Sequence, residues 1–206
     1  MKSAERKLLV ATGNKGKVRE YQKLLEGLPL QVVTLADEGI DTEVEETGST
    51  IEENAILKAR AYAEMSGLLT LADDSGLEVD ALGGEPGAMS KRYAGPDASD
   101  EERNAYLLEK VRDVPTAKRT ARFRCVIAVA VPGDGIELSQ GTCEGTIARE
   151  PRGSWGFGYD PIFYVPEMGK HMAELPLEVK NRISHRARAS QGARKAIERL
   201  LEQKGK

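Results

Sequence analysis

Lys7-Leu8-Leu9-Val10-Ala11-Thr12-Gly13-Asn14-Lys15-Gly16-Lys17-Val18 decides the fold class. Its first six residues form an apolar run of strand length. A glycine-containing turn follows, and then Val18, Tyr21, Leu24 and Leu25 recur at helical spacing. Strand, small loop and helix in that order open an α/β chain. The loop also has the makings of an anion cradle: a hydroxyl at the strand end, glycines that let backbone approach a ligand, and a lysine in the first helical turn. Lysine there opposes the helix macrodipole, so Lys17 calls for either full exposure or an anionic ligand. An ordinary strand-to-helix turn is the alternative for the hexapeptide taken alone.

The rest of the chain extends the same alternation. Leu30–Leu35 reads as a second strand, and Thr50-Ile51-Glu52-Glu53 is a capping box ahead of a helix reaching about Met65. Leu68–Ala72 and Leu77–Leu82 read as strands flanking a polar turn, Asp73-Asp74-Ser75-Gly76. Ser99 to Glu102 repeats the capping pattern before another helix. Thr120–Val131 and Ile136–Ala148 are long strand candidates around Pro132-Gly133-Asp134-Gly135. A glycine-rich stretch from Gly153 to Asp160 precedes Pro161–Val165, and a basic helix capped by Ser184 ends the chain. We expect a long mixed β-sheet flanked by helices.

Two hundred and six residues suit one domain of two lobes, and 40% apolar with 31% charged residues is ordinary globular usage. No apolar run reaches membrane-spanning length, and Met1–Lys7 lacks the core of a signal peptide, so the cytoplasm is the expected address. Cys125 and Cys143 are the only cysteines, read as inert buried thiols rather than a disulfide or metal site.

Net charge is −3, which argues against a general nucleic-acid binder. The distribution is more informative. From Lys170 to Lys206 ten Lys or Arg face four Glu, a local +6, whereas Asp37–Glu53 holds eight carboxylates and no base. Either these are two solvated faces, or they are opposite walls of a site for a magnesium complex of a polyphosphate.

Familiar signatures are missing. The first loop lacks Walker spacing, Gly156-Phe157-Gly158-Tyr159-Asp160-Pro161 ends in proline where a dinucleotide fingerprint needs glycine, and no serine sits in a Gly-x-Ser-x-Gly elbow. What remains is a dispersed set. Asn54 and Lys58 share one helix face, read alone as a solvated stripe. Asp73 and Asp74 read as a turn or as metal and base chemistry. Lys180, Asn181, Ser184, His185 and Arg186 form the densest polar cluster. Trp155 reads as a rim residue covering the core, or as a stacking platform.

Five motifs now stand in order: Thr12-Gly13-Asn14-Lys15-Gly16-Lys17, Gly48 to Lys58, Ala72-Asp73-Asp74-Ser75-Gly76-Leu77, Phe157-Gly158-Tyr159-Asp160-Pro161 and Ser184-His185-Arg186. In that order and spacing the chain resembles the inosine triphosphate pyrophosphatase family, also called RdgB-like or deaminated-purine nucleotide pyrophosphatases, from Leu8 to about Leu201. The resemblance implies two lobes around a deep nucleotide-binding cleft and a homodimer. It implies Mg²⁺-dependent hydrolysis of ITP, dITP and XTP between the α and β phosphates, yielding monophosphate and pyrophosphate; charge and the lack of a long apolar run leave neither nucleic acid nor membrane as an expected partner.

Carried over by motif, Thr12, Gly13, Asn14, Lys15, Gly16 and Lys17 would cradle the triphosphate, with Lys58 a further phosphate ligand. Asp74 would be proton acceptor and metal ligand, Ser75 would touch substrate, and either Glu45 or Glu46 would complete the metal site. Phe157, Gly158, Tyr159 and Asp160, with Lys180, His185 and Arg186, would hold base and phosphates, and Arg186, His185 and loop amides near Tyr159 would read the base. The chain departs from the family pattern at Ile51, Lys91 and Val179, which touches local packing and charge rather than a proposed reacting group. Rival readings are a Maf-like pyrophosphatase acting on pyrimidine or modified nucleotides, a nucleotide-binding sensor without turnover, and an α/β interaction domain.

Overall fold

The structure is a computed structural model that describes residues 6–203. Seven strands form one mixed sheet in the order β2-β1-β3-β4-β5-β6-β7. These are β1 (Lys7–Val10), β2 (Gln31–Thr34), β3 (Leu69–Val79), β4 (Thr120–Ala130), β5 (Ile136–Ile147), β6 (Phe163–Val165) and β7 (Lys170–His171). β1 runs parallel to both β2 and β3, with Leu8 opposite Val32 and Leu69, whereas β6 is antiparallel to β5 and β7. The helices are α1 (Lys15–Leu24), α2 (Ile51–Ser66), α3 (Asp100–Lys110), α4 (Leu177–Ile183) and α5 (His185–Gln203). The α/β expectation holds.

Local chemistry sets the helix ends. Asn14 caps α1 by accepting from the Gly16 and Lys17 amides. Thr50 with Glu53, and Ser99 with Glu102, form the capping boxes read from sequence. Gly67, at φ 66°, closes α2 in the left-handed region. Beyond α3, buried Arg119 donates to the carbonyls of Val111, Arg112, Val114 and Ala148, a use of a buried cation as a satisfier of orphan carbonyls.

The polar turn expected at Asp73–Gly76 does not form: β3 continues through it without a break. Extended backbone sends adjacent side chains to opposite faces, so Asp73 and Asp74 diverge rather than crowd one bend. Gly76 is needed for packing instead, since a Cβ there would lie 2.1 Å from the Gly87 carbonyl oxygen. The short helix α4 ahead of Ser184 also goes beyond the sequence reading.

The chain divides into two compact units, the first being residues up to Asp74, Cys125–Gly141 and Arg186 onward, the second Ser75–Arg124 and Thr142–His185. The first is centred on Leu8, Val10, Tyr21, Leu25, Leu71, Cys125, Ile127, Ala189, Ala193 and Ile197. The second packs Leu77, Val79, Leu107, Val111, Phe123, Ile147, Ile162, Phe163 and Met172. Both cysteines are buried and unbridged. No helix among the described residues is long and apolar enough to cross a membrane.

Candidate active site

In the first unit, the β1–α1 loop is organised around Asn14. Its Oδ1 accepts from the Gly16 amide at 2.8 Å and the Lys17 amide at 3.1 Å, and Thr12 Oγ1 accepts from the Asn14 amide at 3.2 Å. Two amides read as ligand donors are thus engaged within the loop. Gly13 leaves open space where a side chain would stand, and Lys15 is exposed. Lys17 satisfies neither alternative posed for it. It is 13% exposed, and its Nζ lies 3.0 Å from both oxygens of Asp73, so a protein carboxylate supplies the anion.

Asp73 is the hub of a buried charge cluster. Its Oδ2 accepts from Arg186 Nε at 3.2 Å and Nη2 at 3.0 Å, while Arg186 Nη1 donates to Glu20 at 2.7 Å. Arg186 is 1% exposed and stands over the Tyr21 ring. Burial is the largest influence on Asp73 and pushes its pKa up, but the charges of Lys17, Arg186 and Lys58 together outweigh it and hold the carboxyl below the usual range. Asp73 and Glu20 are the carboxylates paired with Lys17 and Arg186 in this cluster. The Cys125 thiol, 3.7 Å from Asp73, is pushed up to about 12 by burial and then by that carboxylate, as expected of an inert thiol.

On the other face of β3, Asp74 accepts from Asn54 Nδ2 at 3.3 Å and lies 3.6 Å from Lys58 Nζ, which is 2.5 Å from Glu46. Burial raises the Asp74 pKa, Lys58 and Lys17 oppose, and Glu46 and Asp73 add to the rise. Two neighbouring carboxyls are therefore driven in opposite directions, the usual signature of a charged scaffold group beside a proton acceptor.

The polar face of α2 is inward, not solvated. Asn54 is fully buried, and its Oδ1 takes the Gly48 amide at 2.8 Å. The Tyr62 hydroxyl donates to the Thr42 carbonyl at 3.1 Å and accepts from the Val44 amide at 3.2 Å. Asn54, Lys58 and Tyr62, spaced by four, hold the acidic segment along one helix edge. This separates Glu46, half-buried on Lys58, from Glu45, which is exposed.

Among the described residues no three His, Cys, Asp or Glu side chains form a metal cluster. Asp74 and Glu46 nevertheless share one cation, Lys58, and two hard oxygen donors are enough where phosphate oxygens and water complete the shell of a magnesium ion.

In the second unit, the loop Phe157–Asp160 is tied from several directions. Asp160 Oδ2 accepts from the Phe157 amide at 3.0 Å and from Lys180 Nζ at 2.6 Å, and Lys180 lies 4.7 Å from the centre of the Phe157 ring. The Gly158 amide donates to Asp100 at 2.6 Å, and the Gly158 carbonyl accepts from Asn104 at 3.0 Å. The Tyr159 hydroxyl donates to the Ser90 carbonyl at 2.9 Å. Loop amides read as base donors thus point to Asp160 and Asp100. His185 is buried and stacks on Phe123 at 4.8 Å, and Ser75 is half-buried. Trp155, at 55% exposed, does not cover the core.

The structure therefore gathers Lys17, Asp74, Lys58, Glu46 and Arg186 in one unit, and Phe157–Asp160 with Lys180 in the other. Sequence reasoning missed Glu20, Asp100 and Asn104. Each reads locally as a polar helix residue, and only long-range pairing gives it meaning.

Residues 8–196 match the model of the Ham1 family. A protein from Desulforamulus reducens named dITP/XTP pyrophosphatase is 54% identical over 194 residues, covering 94% of this chain and 96% of that one. One of the same name from Geobacter sulfurreducens is 54% identical over 183 residues, covering 89% and 92%. The solved structure of a HAM1 protein from Coxiella burnetii superposes with a TM-score of 0.85 at 43% identity, covering 94% of this chain and 99% of that chain. With the family model matched over nearly its whole length and relatives sharing half its residues, this chain belongs to the Ham1 family.

Proposed function

We propose that this protein is a nucleoside triphosphate pyrophosphatase that hydrolyses dITP, XTP and related deaminated purine nucleotides to the monophosphate and pyrophosphate; its relatives carry the name dITP/XTP pyrophosphatase. The observation that carries the reading is the pairing of Lys58 with both Glu46 and Asp74, an acid whose pKa burial raises, with Lys17 held on the neighbouring Asp73. An α phosphorus is shielded by oxyanions, so attack by water needs charge neutralisation, a proton acceptor and a stabilised leaving group. Lys17 and Lys58 supply fixed cations for phosphate oxygens. Asp74 takes the proton from the attacking water, and Asn54 orients its carboxylate.

Asp74 and Glu46 would hold Mg²⁺, which when bound neutralises phosphate charge and the departing pyrophosphate. Glu46 is preferred to Glu45 because it alone pairs with Lys58, the cation Asp74 also faces. The cradle Thr12–Lys17 presents Lys15 and Lys17, with Asn14 fixing the loop. Arg186 enters as the group that fixes Asp73. Base recognition falls to Phe157–Asp160, Lys180, His185 and Ser75. Hypoxanthine and xanthine present an acceptor at the six position where adenine presents a donor, and a buried donor left unpaired costs about 1–3 kcal/mol.

The test is to incubate purified protein and Mg²⁺ separately with ITP, dITP, XTP, GTP, ATP and dTTP, resolving products by phosphorus NMR. Pyrophosphate with monophosphate, fastest from ITP, dITP and XTP, is the expected result. Orthophosphate as first product, or dTTP as best substrate, overturns it.

A further inference from the structure

Gly158 has its backbone N–H and its C=O, which belong to two successive peptide units, both met by side chains of one helix. Its amide donates to Asp100 at 2.6 Å, and its carbonyl accepts from Asn104 Nδ2 at 3.0 Å. Asp100 and Asn104 stand four apart on α3 and so project from one edge of that helix, at 58 and 54 positions from Gly158. Gly158 has φ 63°, a conformation available to glycine at little cost but also one it leaves readily. Asp100 is itself held by Arg103, whose guanidinium also donates to the Ala98 and Lys91 carbonyls. Asn104 is buried, and its Oδ1 has no hydrogen-bond partner. A buried amide with one end unsatisfied is retained at a cost, and its other end grips the loop.

We propose that Asp100 and Asn104 are specificity-positioning residues: α3 sets the backbone of the Phe157–Asp160 loop, and through it the discrimination between purine bases, without either side chain touching substrate. The inference rests on the assignment of that loop to the base. Inside the loop, Asp160 and Lys180 fix the Phe157 end. The peptide after Phe157 is held from inside the loop by the Asp160 amide, which donates to the Phe157 carbonyl at 3.3 Å, and from outside by Asp100 on its N–H, while Asn104 holds the peptide that follows Gly158. Losing the α3 pair enlarges the set of loop conformations the free protein visits, and binding then falls with the population of the competent one.

The experiment compares kcat and KM for ITP and ATP in wild type, Asp100→Ala, Asp100→Asn, Asn104→Ala and the double alanine variant, with Phe157→Leu as a loop control. Asparagine keeps an acceptor for the Gly158 amide; alanine does not. We expect the ITP-to-ATP ratio of kcat/KM to fall about tenfold in the double variant, carried mainly by KM for ITP, and Asp100→Asn to recover most of the single-variant loss. A general loss of stability would lower both substrates' kcat together and would not be rescued by asparagine.

If Phe157→Leu shifts the ratio and the folded α3 variants leave it unchanged, the positioning role is refuted while the loop assignment stands. If Phe157→Leu and the α3 variants all leave it unchanged, the loop does not read the base and both readings fall.

Discussion

Asp73→Asn and Asp74→Asn are the same chemical change at consecutive residues, yet they should fail in different ways. Asp73 has both oxygens 3.0 Å from Lys17 and gives Oδ2 to Arg186 as well, so an asparagine in either flip aims its amino group at a cation. Arg186 would keep only Glu20 of its two carboxylates. Removing one partner of a buried, hydrogen-bonded charge pair costs about 3–5 kcal/mol. In a chain of this size that corresponds to a thermal midpoint lowered by roughly 6–20 °C.

Asp74 is the contrary case. Its carboxylate is disfavoured by burial, and an asparagine keeps an oxygen for Asn54 Nδ2, so its midpoint should move by less than about 3 °C. Turnover should fall by ~10²- to 10⁴-fold with the proton acceptor gone. Calorimetry and pyrophosphate release on both proteins decide the matter. An Asp73→Asn protein with an unshifted midpoint refutes the charge-hub account, and near-normal turnover in Asp74→Asn refutes its role as base.

Glu46→Gln should raise the magnesium concentration for half-maximal activity by about tenfold or more, since a carboxylate ligand is lost, whereas Glu45→Gln should not; a metal titration with ITP separates them, and equal effects would undo the preference for Glu46. Because the folded state holds the Asp73 pKa below its unfolded value of about 3.9, its stabilisation is complete above that pH and disappears as pH drops toward the folded value. The midpoint gap between wild type and Asp73→Asn should accordingly close on acidification below about pH 4, and a gap independent of pH would contradict the depressed pKa. Gly76→Ala sets a methyl 2.1 Å from one backbone atom and 2.7 Å from another; it should cost at least about 3 kcal/mol, and a denaturant midpoint equal to wild type would show that the Gly87 segment yields freely.

What was legible in the sequence was what depends on near neighbours. The capping boxes at Thr50 and Ser99 need only three residues of context, and the opening strand and helix carry their own periodicity. Asp73–Gly76 misled because Asp, Ser and Gly favour turns locally. The cations that make an extended Asp73 tolerable arrive from Lys17 and Arg186, 56 and 113 positions away. Glu20 looked like a solvent-facing helix residue, and only Arg186, 166 positions distant, reveals it. Glu45 and Glu46 are indistinguishable by composition, and the reach of Lys58 separates them. The five motifs marked out segments of the chain; which way each side chain turns was beyond them.

The alternation of side chains along β3 has a genetic corollary. Loss or gain of one codon anywhere between Leu69 and Asp73 would exchange the two acids, turning the Asp74 carboxylate toward Arg186 and the Asp73 carboxylate toward Lys58. A point substitution in that stretch leaves the alternation of faces intact, but a change of length there should strike folding and turnover together. Natural length variation in this chain should therefore collect in its loops and spare these five residues.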